Sequence, residues 1–182
     1  MENCTLSEND QSTKQNSVKA NVLLYQSASG DARDGTSVFS MTGGEMTANS
    51  GAMFYCTNTS SEIWLNDAEL NLSSDRSLLI VAAGCWGKEG KNGGHCALNA
   101  KNQMLEGSIT VDAISELTIS LNSSTFIGAI NADGQSGAVQ IILGAGSAWT
   151  LTGDSYITSL EGETENIDGA GYHLYVNGEK VF

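Results

Sequence analysis

Phe39-Ser40-Met41-Thr42-Gly43-Gly44-Glu45-Met46-Thr47-Ala48 is answered 24 positions later by Ile63-Trp64-Leu65-Asn66-Asp67-Ala68-Glu69-Leu70-Asn71-Leu72. Phe39 matches Ile63, Met41 matches Leu65, Met46 matches Leu70 and Ala48 matches Leu72. Within each run apolar residues alternate with other side chains, as in a strand with one buried face. Turn residues part the runs, Gly43-Gly44 in the first copy and Asn66-Asp67 in the second. Leu117-Thr118-Ile119-Ser120-Leu121 and Val139-Gln140-Ile141-Ile142-Leu143 echo one another 22 positions apart. A unit this short cannot bury its apolar face alone, so copies must stack. Three short runs per repeat describe a three-sided solenoid. The expected fold is an all-β, three-sided parallel β-helix, with 22–24 residues per coil, forming one domain over residues 1–182.

Composition agrees with that architecture. The 182 residues include 21 glycines and no proline. Proline removes a ladder donor and is excluded from central strands, while glycine supplies corners between short strands. Twenty-one acidic against eight basic residues give a net charge of −13, which repels nucleic acid and anionic lipid. No apolar run is long enough to span a membrane. Residues 1–35 are the least regular, with a strand at Val22–Tyr25 and a turn at Asp31–Gly35. Phe182 is placed to plug the end of the last coil.

The rhythm breaks after Ala83. The stretch 84–94 is an inserted loop, and the pattern resumes at His95. Aligning Leu65 with Leu98, 33 positions on, makes the break one coil plus about nine residues. Insertions in a solenoid project from one face, often the one that binds. This loop carries Trp86, Lys88 and Lys91, and Arg76 and Lys101 lie near it in sequence. An indole face stacks on a pyranose, and ammonium or guanidinium groups pair with uronate carboxylates. Equally, Trp86 is placed to fold down over the core, with the lysines offsetting Glu89. Trp64 stands between Ile63 and Leu65, so alternation turns it outward, where it suits either a sugar platform or a protein contact.

Other constellations are sparser. Asn131–Gly137 is an oxygen-rich turn centred on Asp133, a calcium candidate without the spacing of an EF-hand loop. Asp67 with Glu69, and Asp112 with Glu116, lie near strand ends, with nothing marking either pair as a glycosidase dyad. Cys4, Cys56, Cys85 and Cys96 include no Cys-x-x-Cys metal spacing. Cys85 and Cys96 flank the insertion and form a candidate disulfide; the alternative is thiols stacked in the core. His95 and His173 stand alone, without a nucleophile elbow beside either.

Several motifs together carry a family resemblance: Ser40-Met41-Thr42-Gly43-Gly44, Phe54–Thr59, Trp86-Gly87-Lys88 through Asn92-Gly93-Gly94, Leu105-Glu106-Gly107 with Val111-Asp112, and Trp149–Ser155. Over residues 36–178 the chain resembles secreted right-handed parallel β-helix proteins of anaerobic, often gut, clostridia, known as carbohydrate-binding-domain proteins. The resemblance implies a right-handed, pectate-lyase-like winding and a place outside the cell or on the bacterial surface. Such proteins carry a leader and further coils, so this chain is expected to be an N-terminally incomplete unit. The expected function is non-catalytic binding of polysaccharide, acidic glycans included, or adhesion, through Trp64, Trp86, Lys88, Lys91 and Arg76. An alternative is a structural or adhesive segment of a longer surface solenoid that associates end to end. A polysaccharide lyase or glycosidase comes third. No cofactor is expected beyond calcium at Asp133.

Overall fold

A computed structural model describes residues 1–8, 18–26, 35–85, 87–134 and 137–181. Trp86, Phe182 and most of the turn expected at Asp31–Gly35 lie outside the described residues.

Strands β1 (Thr5–Glu8) and β2 (Ala20–Tyr25) come first. Next come β3 (Thr36–Thr42), β4 (Glu45–Ala48) and β5 (Ala52–Thr57), then β6 (Ser60–Asn66), β7 (Glu69–Asn71) and β8 (Ser77–Val81). Beyond the insertion lie β9 (His95–Lys101), β10 (Met104–Glu106), β11 (Ser108–Val111), β12 (Glu116–Asn122) and β13 (Thr125–Ile127). The chain finishes with β14 (Ala138–Leu143), β15 (Ala148–Thr150), β16 (Ser155–Ile157), β17 (Ser159–Glu161), β18 (Ile167–Asp168), β19 (Leu174–Val176) and β20 (Glu179–Lys180). One 3-10 turn, Thr164–Asn166, is the only helical element among the described residues, and no helix there is long and apolar enough to cross a membrane.

The protein is all-β and its sheets are parallel, as the repeat predicts. The long sheet runs β3-β6-β9-β12-β14-β17. A second set comprises β1-β4-β7 and β10-β13-β15-β18; a third comprises β2-β5-β8-β11 and β16-β19-β20. From β1 to β19 the chain visits the three sets in the same cyclic order, with an isolated bridge, Ile109 to Ile130, holding the third set's place after β13. Among the described strands only β19 and β20 pair antiparallel, across a turn whose Asn177 and Gly178 both have positive φ.

Register explains the repeat. Phe39 lies beside Ile63, Met41 beside Leu65 and Met46 beside Leu70, at the 24-residue step, and Leu117 lies beside Val139 at the 22-residue step. At the insertion the expected alignment fails by two. Ile63 lies beside Leu98 and Leu65 beside Ala100, a step of 35 rather than 33, so the excess over the 24-residue step is eleven residues. A slip of two preserves which side chains face inward, so alternation alone cannot detect it.

Inward positions build one continuous core, with Ile63, Leu98, Ile119 and Ile141 stacked in register. Phe126 and Trp149 stack within it, ring centroids 5.7 Å apart, and the Trp149 indole N–H donates to the Gly128 carbonyl at 3.0 Å. Corners repeat too. The residues after four strands of the long sheet, Gly43, Asp67, Asn102 and Ser123, all have φ between 47° and 61°. The N–H groups of these residues continue the ladder to the next corner, Gly43 to the Asn66 carbonyl at 2.9 Å and Asn102 to the Asn122 carbonyl at 3.0 Å. This left-handed corner suits glycine and short polar residues, whose side chains tolerate it best.

Candidate functional site

The long sheet turns alternate residues outward, and parallel register lines these up across strands. One outward row reads Ser40, Trp64, Asn99, Ser120; the next reads Thr42, Asn66, Lys101, Asn122. Trp64 is 47% exposed, with only the short Ser40 and Asn99 side chains beside it on the neighbouring strands. Its indole N–H donates to Glu62 Oε2 at 2.8 Å, which ties the ring to its own strand. Around it lies an open depression of about 460 Å³, lined by Trp64, Asn66, Asn99, Lys101, Ser120 and Asn122 among others. An indole among amide and hydroxyl groups offers one apolar face and many hydrogen-bonding groups at fixed positions.

A second, smaller depression of about 250 Å³ lies over the first halves of the same strands, lined by Thr36, Ser60, Glu62, His95 and Glu116 among others. Here His95 Nδ1 stands 3.2 Å from Glu116 Oε2, both side chains exposed. Glu62 borders this depression and holds Trp64, so the two depressions meet at the Glu62–Trp64 pair.

The other expected site residues are dispersed. Arg76 sits at a corner between β7 and β8 with φ 49°, and its guanidinium pairs with Glu106 Oε2 at 2.6 Å. Lys88 and Lys91 are exposed at the tip of the insertion, where the Lys91 N–H donates to the Lys88 carbonyl at 2.9 Å. None of these three lines the Trp64 depression. Lys101, grouped with the insertion by sequence proximity, instead lies on the Trp64 face. Asn99 beside Trp64 was hidden by the two-residue slip, since an alignment of Leu65 with Leu98 sets Ala97 next to the indole. Asp133 is exposed in the loop before β14, and no group of three His, Cys, Asp or Glu side chains comes together among the described residues.

The candidate Cys85–Cys96 disulfide is not formed. Cys85 is exposed at the insertion, whereas Cys96 turns inward at the start of β9, and its sulfur lies 3.4 Å from that of Cys56 on β5. Both of these sulfurs belong to buried residues, as in the stacked-thiol alternative. The contact splits their acidity. The hydrogen bond between them lowers the Cys56 thiol, and the same bond, with burial, raises Cys96 well above the usual thiol range.

The insertion leaves and rejoins the sheets by defined contacts. The Ala82 N–H donates to the Cys56 carbonyl at 3.1 Å, and the Ala83 N–H to Asp112 Oδ2 at 2.7 Å. On the return limb the Asn58 N–H donates to the Asn92 carbonyl at 3.1 Å, and Asn92, Gly93 and Gly94 are buried. The outer face of β5 is also covered: Met53, Tyr55 and Thr57 are all fully buried. Neither the Tyr55 nor the Thr57 hydroxyl has a hydrogen-bond partner among the described residues. Burial raises the Tyr55 phenol above its usual range, with the adjacent Thr57 hydroxyl offsetting part of the effect.

No family model, curated protein or solved structure matches this chain.

Proposed function

We propose that this chain is a right-handed three-sided parallel β-helix that binds polysaccharide without transforming it, through the outer face of the long sheet around Trp64. The winding reading rests on the cyclic visiting of three parallel sheet sets. Its hand follows from the strong preference of parallel crossovers for a right-handed path. The observation that carries the function is Trp64 itself. It is a large exposed aromatic on a rigid sheet, held by Glu62 and set among amides, hydroxyls and one ammonium group. Aromatic stacking plus fixed polar contacts is the chemistry that recognises a pyranose, with its apolar ring face and polar rim. The chain's net charge of −13 argues against nucleic acid and anionic membrane as partners. The matching location is the cell exterior or the bacterial surface, where polysaccharide is met.

Native gels cast with neutral and uronic polysaccharides test this reading. The wild-type chain is expected to be retarded by at least one of them. Trp64→Ala is expected to weaken retardation about tenfold or more, the equivalent of about 1.4 kcal/mol of lost stacking. Lys88→Ala with Lys91→Ala is expected to leave it unchanged, because neither residue lines the depression. Retardation that survives Trp64→Ala and vanishes with the lysines would move the site to the insertion.

A further inference from the structure

We propose that Cys56 and Cys96 are a modification site at which oxidation forms a disulfide across the core, joining the β5 sheet to the long sheet at the base of the insertion. The two sulfurs already touch at 3.4 Å, although 40 residues separate them in sequence. A disulfide bond is about 2.05 Å long, so closure asks for a movement of roughly 1.4 Å shared between two side chains. Both strands are held on either side by paired neighbours, β5 between β2 and β8 and β9 between β6 and β12. The cysteines therefore remain adjacent whatever the insertion does.

Cys96, 5% exposed, borders the smaller depression of the long sheet with Ser61, while its sulfur turns inward to Cys56. This depression is the entry proposed for a small peroxide. The deprotonated sulfur attacks one peroxide oxygen, forming an S–O bond as the O–O bond breaks, and hydroxide leaves and takes up a proton. The second thiol then attacks the sulfenic sulfur; the S–S bond forms and water departs. Two thiols and one hydrogen peroxide give one disulfide and two waters, with sulfur oxidised and peroxide oxygen reduced. The unequal acidity of the pair favours this course, because Cys56, lowered by its contact with Cys96, gives up its proton more readily than Cys96, which the same contact raises.

The consequence is local. The bond would close a loop holding the whole insertion, whose limbs already hang on this corner through Ala82 on the Cys56 carbonyl and His95 on the Thr59 carbonyl. Closing such a loop restricts the unfolded chain and stabilises the fold.

The test uses the full chain carrying Cys4→Ser and Cys85→Ser, which leaves the core pair as its only thiols, treated with stoichiometric hydrogen peroxide. The expected product is about 2 Da lighter, since it loses two hydrogens. Non-reducing peptide mapping should join the Cys56 and Cys96 peptides, and Tm should rise by about 5 °C or more. The unsubstituted chain should give the same cross-link. A Cys56→Ala chain should gain oxygen at Cys96 and no cross-link. Oxygen addition without mass loss in the double-serine chain, or a Cys85–Cys96 peptide from the unsubstituted one, would overturn the proposal.

Discussion

The outer face of the long sheet and the insertion between β8 and β9 carry similar side chains and hold them by different means. On the sheet, Trp64 and Lys101 sit on neighbouring strands, and the register of those strands fixes their separation. In the insertion, the return limb Asn92–Gly94 is buried and hydrogen-bonded, while the tip from Lys88 to Lys91 is exposed. A charged or aromatic residue on the sheet therefore gains a fixed neighbour for each strand beside it. Among the described residues of the tip, the Lys91 N–H bonds within its own turn, to the Lys88 carbonyl. Preorganised contacts lose less freedom on binding than ones that must be ordered, which is the reason for proposing the recognition surface on the sheet.

The strongest way to break this comparison is to loosen the sheet itself. Leu98 is fully buried in the middle of β9, between Ile63 and Ile119. Leu98→Ala is expected to cost about 2–5 kcal/mol, from the lost transfer energy and the cavity left behind. Urea unfolding followed by tryptophan fluorescence should show the midpoint falling with the slope unchanged. A loss below about 1 kcal/mol would mean that the stack relaxes around the gap and that the sheet face is softer than argued.

Two glycines of the insertion sharpen the contrast at the next level. A Cβ on Gly94 would stand 2.6 Å from the Cys56 carbonyl oxygen and 2.9 Å from Val81 Cγ1. The carbonyl is fixed by its ladder and cannot give way, so Gly94→Ala should cost near the upper end of the roughly 1–3 kcal/mol of overpacking. A Cβ on Gly90 would meet nothing within 4 Å, and only its φ of +76° resists substitution. Gly90→Ala should cost about 1 kcal/mol, the strain of a left-handed alanine. Equal losses in thermal unfolding would show that limb and tip are held alike.

Much of this arrangement was legible in the sequence because burial imposes a period. Phe39, Met41 and Met46 announce their partners in the next strand pair through side-chain type alone. The outward turn of Trp64 follows from the same alternation. What failed was register across the insertion. Steps of 33 and 35 leave the same side chains inward, and only hydrogen-bonding at the corners separates them: the Asp67 N–H meets the Lys101 carbonyl at 3.3 Å, and the His95 N–H meets the Thr59 carbonyl at 2.9 Å. Those bonds leave no trace in residue type. The cysteines left a disulfide and core thiols open in the sequence, and the fold decides between them: Cys85 and Cys96 are neighbours along the chain, but Cys56 is the neighbour of Cys96 across the core.

Tyr55 lies where the two regions meet, and it supplies the smallest and most diagnostic test. It sits on the outer face of β5, with Cys85 of the insertion and Asp112 near enough to raise its pKa further. Asp112 in turn holds the Ala83 N–H of the insertion. Burial raises the Tyr55 pKa in the folded chain, so the unfolded chain loses this proton first. The stabilising contribution is whole below about pH 10, the ordinary phenol value, and is lost as pH rises through that value toward the folded one. Tyr156 is shifted the same way, by its own burial and then by Tyr175 and Asp154. Tyr55→Phe should therefore flatten part, not all, of the fall in Tm above pH 10. At neutral pH it removes a buried hydroxyl that has no partner among the described residues, so stability should hold or rise by up to about 1 kcal/mol. A loss of more than about 1 kcal/mol at neutral pH would reveal that the phenol is bonded, and that the sheet and the insertion are tied together by a polar contact there.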